Sequence, residues 1–206
     1  MNAAALMVRP AALTGRPQGA GADFGNACAL PMEISEEFVA GILRPYRANA
    51  KYLKSARITQ VQYPDCPAKG APILTAAGRF SIPESCYIDD TGHFNAVEFN
   101  ICYNQLAYVM FGKCFETGIV SKLRFLTPAE YRRHQLQSCF IASLESRFSK
   151  QLKSDDFSGE LTLNKLHWTG GVLFCFTSIA FCDCEGVKAQ GPVVLAFNPP
   201  ASAAKH

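Results

Sequence analysis

The chain has 206 residues, 49% of them hydrophobic and 18% charged, with a formal net charge of +3. That length and mix suit one domain with a full apolar core and exclude a collagen-like or wholly disordered chain. The charge is too small to point to nucleic acid, and no apolar run is long enough to span a bilayer. Residues 1–30 are Ala-, Gly- and Pro-rich and are predicted to be a disordered tail, because they carry too few large side chains to offset chain entropy. Ala3–Val8 is too short and lacks the basic flank of a signal peptide. Residues 31–198 are the predicted single domain, and 199–206 a second frayed tail.

In chain order, the first predicted element is a helix over Ser35–Leu43. Ser35 caps it, Glu36 and Glu37 complement its dipole, Ile34 staples onto Val39, and Pro45 stops it just before Tyr46. Strands follow over Ala56–Tyr63 and Ile73–Ile82. A helix over Ala96–Phe111 is apolar on nearly every face and must therefore be buried. Gly118–Phe125 reads as a strand. Thr127-Pro128-Ala129-Glu130 is a capping box with proline at the first helical position, Leu126 and Tyr131 form its staple, and a helix is expected over Pro128–Leu136. Phe140–Ser149, Ser158–Trp168 and Val172–Cys182 complete the strand set. Val187–Phe197 contains Gly191-Pro192 and is expected to be interrupted or at a sheet edge.

Short connections between strands imply an antiparallel sheet and an α+β fold. A strongly apolar helix is best buried by a sheet that wraps round it; a flatter sandwich with the helix on one face is the alternative. The nine cysteines, at 28, 66, 86, 102, 114, 139, 175, 182 and 184, are odd in number and several lie in apolar runs. They read as reduced, buried thiols of a cytoplasmic protein. Cys182-x-Cys184 lacks a second ligand pair, so no metal is expected.

Buried polar side chains cost about 1–3 kcal/mol each when unpaired, which singles out those on the central helix. Its stripe reads Phe94, Val97, Ile101, Asn104, Tyr108, so Asn104 either bonds a strand backbone or is a donor aimed at a ligand. Asn95-x-x-Glu98 is a capping pattern, equally compatible with a catalytic role, because a helix N-terminus favours developing negative charge. His93 precedes that terminus, and imidazole titrates in the range useful for proton transfer. Tyr46 and Tyr87 offer hydroxyl donors on apolar bodies. No GxSxG occurs, and no cysteine has a nucleophile's sequence context.

The runs Arg44-Pro45-Tyr46, Glu84-Ser85-Cys86-Tyr87-Ile88, Thr91-Gly92-His93-Phe94-Asn95-Ala96-Val97-Glu98 and Cys102-Tyr103-Asn104-Gln105-Leu106-Ala107-Tyr108 carry a resemblance. His134-Gln135-Leu136 and Ser146-Arg147-Phe148 extend it. Over residues 33–165 the chain resembles the FcoT-like thioesterase and (2E)-enoyl-[acyl-carrier-protein] glycyltransferase family. The resemblance implies a hot-dog fold and carries functional tyrosines onto Tyr46 and Tyr87 and asparagines onto Asn95 and Asn104.

It also implies Michael addition of glycine to a 2-enoyl thioester held on the phosphopantetheine of an acyl carrier protein, in isonitrile lipopeptide biosynthesis, with no further cofactor. In that reading Asn95 polarises the carbonyl, His93 or Tyr87 moves protons, and Asn104, Tyr46 and Tyr108 orient substrate. Glu98 or Arg147 holds the amino acid. The alternatives are an acyl thioesterase with Glu98 as base, and a non-catalytic acyl-binding module. Lys113, Lys122, Arg124, Arg132, Arg133 and His134 are candidate contacts for an acidic carrier protein. By analogy the family implies a homodimer or larger assembly.

Overall fold

The computed structural model describes residues 30–62, 70–89 and 93–198. The two expected tails, apart from Leu30, lie outside these residues, as do Tyr63, Cys28, Cys66 and the Asp90-Thr91-Gly92 turn.

The elements run β1 (Met32–Ile34), α1 (Glu36–Ile42), β2 (Leu53–Val61), β3 (Leu74–Phe80), α2 (Ala96–Thr117), α3 (Pro128–Ser138), β4 (Cys139–Leu144), β5 (Arg147–Phe148), β6 (Phe157–Thr169), β7 (Val172–Asp183) and β8 (Gly186–Phe197). All pairings are antiparallel, in the order β1-β2-β3-β6-β7-β8-β4, with β5 also on β8. Alternate residues of the long strands, such as Leu161 and Leu163 or Leu173, Cys175 and Ile179, are buried, as one core-facing side of a sheet requires. The sheet meets α2 from β2 across to β8. On the far side Tyr103 Oη lies 2.9 Å from Thr177 Oγ1, and the Phe111 and Phe197 rings stack edge-on at 5.0 Å. The sheet thus wraps the helix, the hot-dog arrangement.

The local cap signals form as expected. Ser35 Oγ accepts from the Phe38 N–H at 3.3 Å. Thr127 Oγ1 accepts from the Glu130 N–H at 3.2 Å, while Glu130 Oε2 accepts from the Thr127 N–H at 2.8 Å, so α3 begins at Pro128.

Five points differ from the expected order. Strand β1, paired to β2, was not foreseen, because three residues are too few to show a period. Helix α2 runs past Phe111 to Thr117, ending where Gly118 takes φ +62°. Gly118–Phe125 is not a strand. The Arg124 guanidinium donates to the Gly118 carbonyl at 2.9 and 3.1 Å and folds the segment about a short 3-10 turn, Ser121–Leu123. Phe140–Ser149 breaks into β4 and β5.

The fifth concerns β8, which is continuous and interior, between β7 and the β4–β5 pair. Pro192 is tolerated because it faces the break: Leu144 pairs with Val193 and Arg147 with Gln190. There the Glu145 N–H donates to the Pro192 carbonyl at 3.1 Å. A Cβ on Gly191 would fall 1.8 Å from the Glu145 carbonyl oxygen, so this close crossing requires glycine.

Candidate functional site

The capped end of α2 gathers most of the singled-out side chains. Asn95 Oδ1 accepts from the Val97 N–H at 2.7 Å, and Glu98 Oε2 accepts from the Asn95 N–H at 3.3 Å, so the capping reading holds. The rest of the Asn95 amide faces away from that duty: Nδ2 donates to the Tyr87 hydroxyl at 2.9 Å. A primary amide has two such hydrogens, and this is the one bond Nδ2 makes among the described residues. Glu98 is only 1% exposed, and its second oxygen accepts from Ser85 Oγ at 3.3 Å. Tyr87 is 42% exposed.

From this end one face of α2 presents Val97, Ile101, Asn104 and Tyr108. Val97 is 45% exposed, and Asn104, half-buried, donates to Asn100 Oδ1 at 3.0 Å rather than to a strand. Tyr46, half-buried, packs against the core beside Tyr108 and Cys102. Burial lifts the Tyr46 phenol well above its ordinary range, with Tyr108 adding to the effect. Burial lifts Tyr108 to about 12. Partial desolvation raises Tyr87 as well, opposed by the Asn95 bond and reinforced by Glu98. All three phenols therefore stay protonated near neutrality and act as donors.

Two predicted residues stand apart. Arg147 is exposed, its nearest carboxylate being Glu145 at 3.7 Å with the arginine side chain 80% accessible. It borders a hollow of about 440 Å³ on the outer sheet face with Glu160, Thr162, Ser178 and Gln190. Its neighbour Phe148 turns inward onto Phe94 and Phe99, so strand alternation sends Arg147 the other way. His93 is exposed and lines a cavity of about 530 Å³ with Lys153, Asp155, Asp183 and Glu185, towards the β7–β8 turn.

Sequence reasoning missed Ser85 and Tyr52 as members of this neighbourhood, and gave Gln105 no role. The signal available for Gln105 was its place on the Glu98, Cys102, Gln105, Val109 stripe, all buried. Tyr52 and Ser85 have no periodic signature.

Cys102 lies under the site, but burial, helped by Glu98, holds its thiol well above the ordinary range, so it is not an activated nucleophile. Cys86, Cys102, Cys114, Cys139, Cys175, Cys182 and Cys184 are all free thiols. Among the described residues no group of three or more His, Cys, Asp or Glu side chains is arranged to hold a metal ion, and no helix is long and apolar enough to cross a membrane. Of the candidate carrier contacts, Lys113 binds Glu116 at 2.5 Å and Arg124 is committed to Gly118, whereas Lys122, Arg132 and Arg133 are exposed.

The model of the FcoT-like thioesterase domain matches residues 41–197. A relative from Streptomyces coeruleorubidus, named (2E)-enoyl-[ACP] glycyltransferase, is 36% identical over 167 residues, 79% of this chain and 96% of the relative. A relative of the same name from Mycobacterium marinum is 37% identical over 167 residues, 79% and 86% of the two chains. Among solved structures, the dehydratase domain of RzxB from Pseudomonas fluorescens aligns with a TM-score of 0.50 at 11% identity, covering 80% of this chain and 49% of that one, a likeness of fold alone. This chain belongs to the FcoT-like thioesterase family.

Proposed function

We propose that this protein catalyses Michael addition of glycine to C3 of a 2-enoyl thioester carried on an acyl carrier protein, giving a 3-(carboxymethylamino)acyl thioester for isonitrile lipopeptide biosynthesis. The relatives named (2E)-enoyl-[ACP] glycyltransferase, at 36–37% identity over 79% of the chain, support the reaction class. The observation that carries the reading to the site is the hydroxyl–amide pair of Tyr87 and Asn95, 2.9 Å apart at the positive end of α2.

In the reaction the glycine nitrogen bonds to C3, the C2=C3 π pair shifts between C1 and C2, and the carbonyl π pair moves onto the thioester oxygen as an enolate. C2 then takes a proton and the nitrogen loses one. No group leaves, and the step balances without an oxidant or reductant. The remaining Asn95 N–H and the dipole of α2 stabilise the enolate oxygen, and protonated Tyr87 delivers the proton to C2. Asn104, Tyr46 and Tyr108 orient the acyl thioester. His93 is a second candidate for proton transfer from its own cavity.

Hydrolysis would need a base with access to water. Glu98 is 1% exposed and both its oxygens accept bonds within the chain, which favours addition over thioester cleavage. Glu98 therefore supports Asn95 and Ser85 rather than gripping glycine. The bare Val97–Asn104 face supports assembly into a homodimer or larger oligomer that covers it, read by light scattering.

The test is incubation with an enoyl-carrier protein and glycine, followed by mass spectrometry of the carrier. Appearance of the glycine adduct is the expected result. Accumulation of free acid without adduct would assign the thioesterase reading, and acyl binding with neither product would assign the binding module.

A further inference from the structure

We propose that Tyr52 is a positioning residue of this site, itself fixed by Gln105, and that it holds the backbone which presents the Tyr87 hydroxyl to Asn95. The inference rests on the glycine-addition reading for its rate effect, though not for its geometry.

Residues 81–89 form neither helix nor strand, so no ladder fixes Tyr87. Nor does packing, since Tyr87 is 42% exposed. Backbone bonds hold only its start, from the Ser81 N–H to the Tyr52 carbonyl at 3.0 Å and from the Ile82 N–H to the Ser154 carbonyl at 2.7 Å; nearer Tyr87 the stretch is tied by bonds to side chains. Ser85 Oγ donates to Glu98 Oε1 at 3.3 Å, and the Cys86 N–H donates to the Tyr52 hydroxyl at 2.8 Å. The second tie lies one residue from Tyr87 and ends on a side chain that is 1% exposed.

Tyr52 is in turn held from the central helix. Gln105, fully buried, has Oε1 accepting from the Tyr52 N–H at 3.0 Å and the Leu53 N–H at 2.9 Å, while Nε2 donates to the Ala50 carbonyl at 2.5 Å. One carboxamide thus satisfies three backbone groups where the chain enters β2, whose pairing with β3 begins at Leu53 opposite Phe80. Both ends of the chain of contacts start on α2: Gln105 to Tyr52 to Cys86 to Tyr87, and Asn95 to Tyr87. The helix therefore sets the separation between the two donors that meet the substrate. A misplacement of about 1 Å in such a pair costs about a hundredfold in rate.

Tyr52→Phe keeps the ring and deletes only the hydroxyl. The expected result is a fall in kcat for glycine addition of about tenfold with KM for the enoyl-carrier protein changed by less than about twofold. Hydrogen exchange, followed by mass spectrometry on a peptide spanning Ser85–Asp89, speeds up at Cys86. In a Tyr87→Phe background the Tyr52→Phe change has no further effect on kcat, because Tyr52 acts through Tyr87. A merely structural tyrosine would lower Tm and give additive losses. Unchanged exchange at Cys86, or additive losses in kcat, overturns the proposal. If the wild-type protein forms no adduct, the functional reading fails instead, and exchange at Cys86 alone decides the positioning. Gln105→Met, which releases Tyr52 from the helix, serves as the second variant if Tyr52→Phe does not fold: faster exchange at Cys86 is expected, and unchanged exchange overturns the proposal.

Discussion

From Gln105 to Gly112 every residue of α2 is buried, whereas Ala96, Val97 and Asn100 in its first turns are exposed. The sheet covers both halves; the helices on the other side do not. Over the second half the Tyr131 hydroxyl of α3 donates to the Tyr108 carbonyl at 2.8 Å. Gly112 lets α1 and α3 close in, since a Cβ there would lie 2.9 Å from Ile42 Cδ1 and 3.0 Å from Tyr131 Cε1. Nothing comparable among the described residues shields Val97 or Asn100. The covered half is core, and the bare half is where the amides and the Tyr87 phenol collect. A helix that is apolar on nearly every face is thus divided into a covered and a bare part by its neighbours.

The largest effect is expected in the bare half. Tyr87→Phe combined with Asn95→Ala lowers adduct formation by about a hundredfold or more, measured as single-turnover rates. Loss of the cap adds a stability decrease of about 1 kcal/mol. In the covered half, Gly112→Val forces Ile42 and Tyr131 aside and destabilises by about 1–3 kcal/mol in urea unfolding, while the folded fraction keeps its kcat. The comparison breaks if the two variants exchange phenotypes.

A graded effect follows from pH. Burial raises Tyr108 from 10.0 to about 12, and Cys114 and Cys139 from 9.0 to about 12. The unfolded chain releases these protons first, so their stabilisation is complete below about pH 9 and is lost as pH rises towards 12. The urea midpoint is expected to fall steadily above pH 9; a midpoint flat to pH 11 would contradict it. Smaller again, Arg132→Glu with Arg133→Glu weakens kcat/KM for the carrier-bound substrate by about tenfold at low salt and less at high salt. Smallest, Arg147→Ala leaves the KM for glycine within about twofold, as its place on the outer face requires.

What was legible in the sequence was local. Ser35, Asn95 with Glu98, and Thr127 with Glu130 cap their helices through bonds spanning three residues or fewer, and side-chain type determines such bonds directly. The long strands β6 and β7 were legible because thirteen and twelve residues show their period. The pairing of Tyr87 with Asn95 came within reach because the family motifs hold both. Tyr52 and Gln105 were not seen together, as their bond closes across 53 residues of chain. The face that Arg147 takes was not legible, because a strand residue's face depends on register, which its own sequence does not set.

By itself, then, the chain determined its helix caps, its antiparallel class and the apolar helix that must be wrapped, since these follow from neighbouring side chains and their periodicity. The tertiary structure decided where Gly191-Pro192 fits inside the sheet, which half of α2 stays bare, and how Gln105 and Tyr52 tie Tyr87 to the helix end. Those depend on contacts between segments distant in sequence, and hydrogen-bond geometry and packing become defined only once the segments meet.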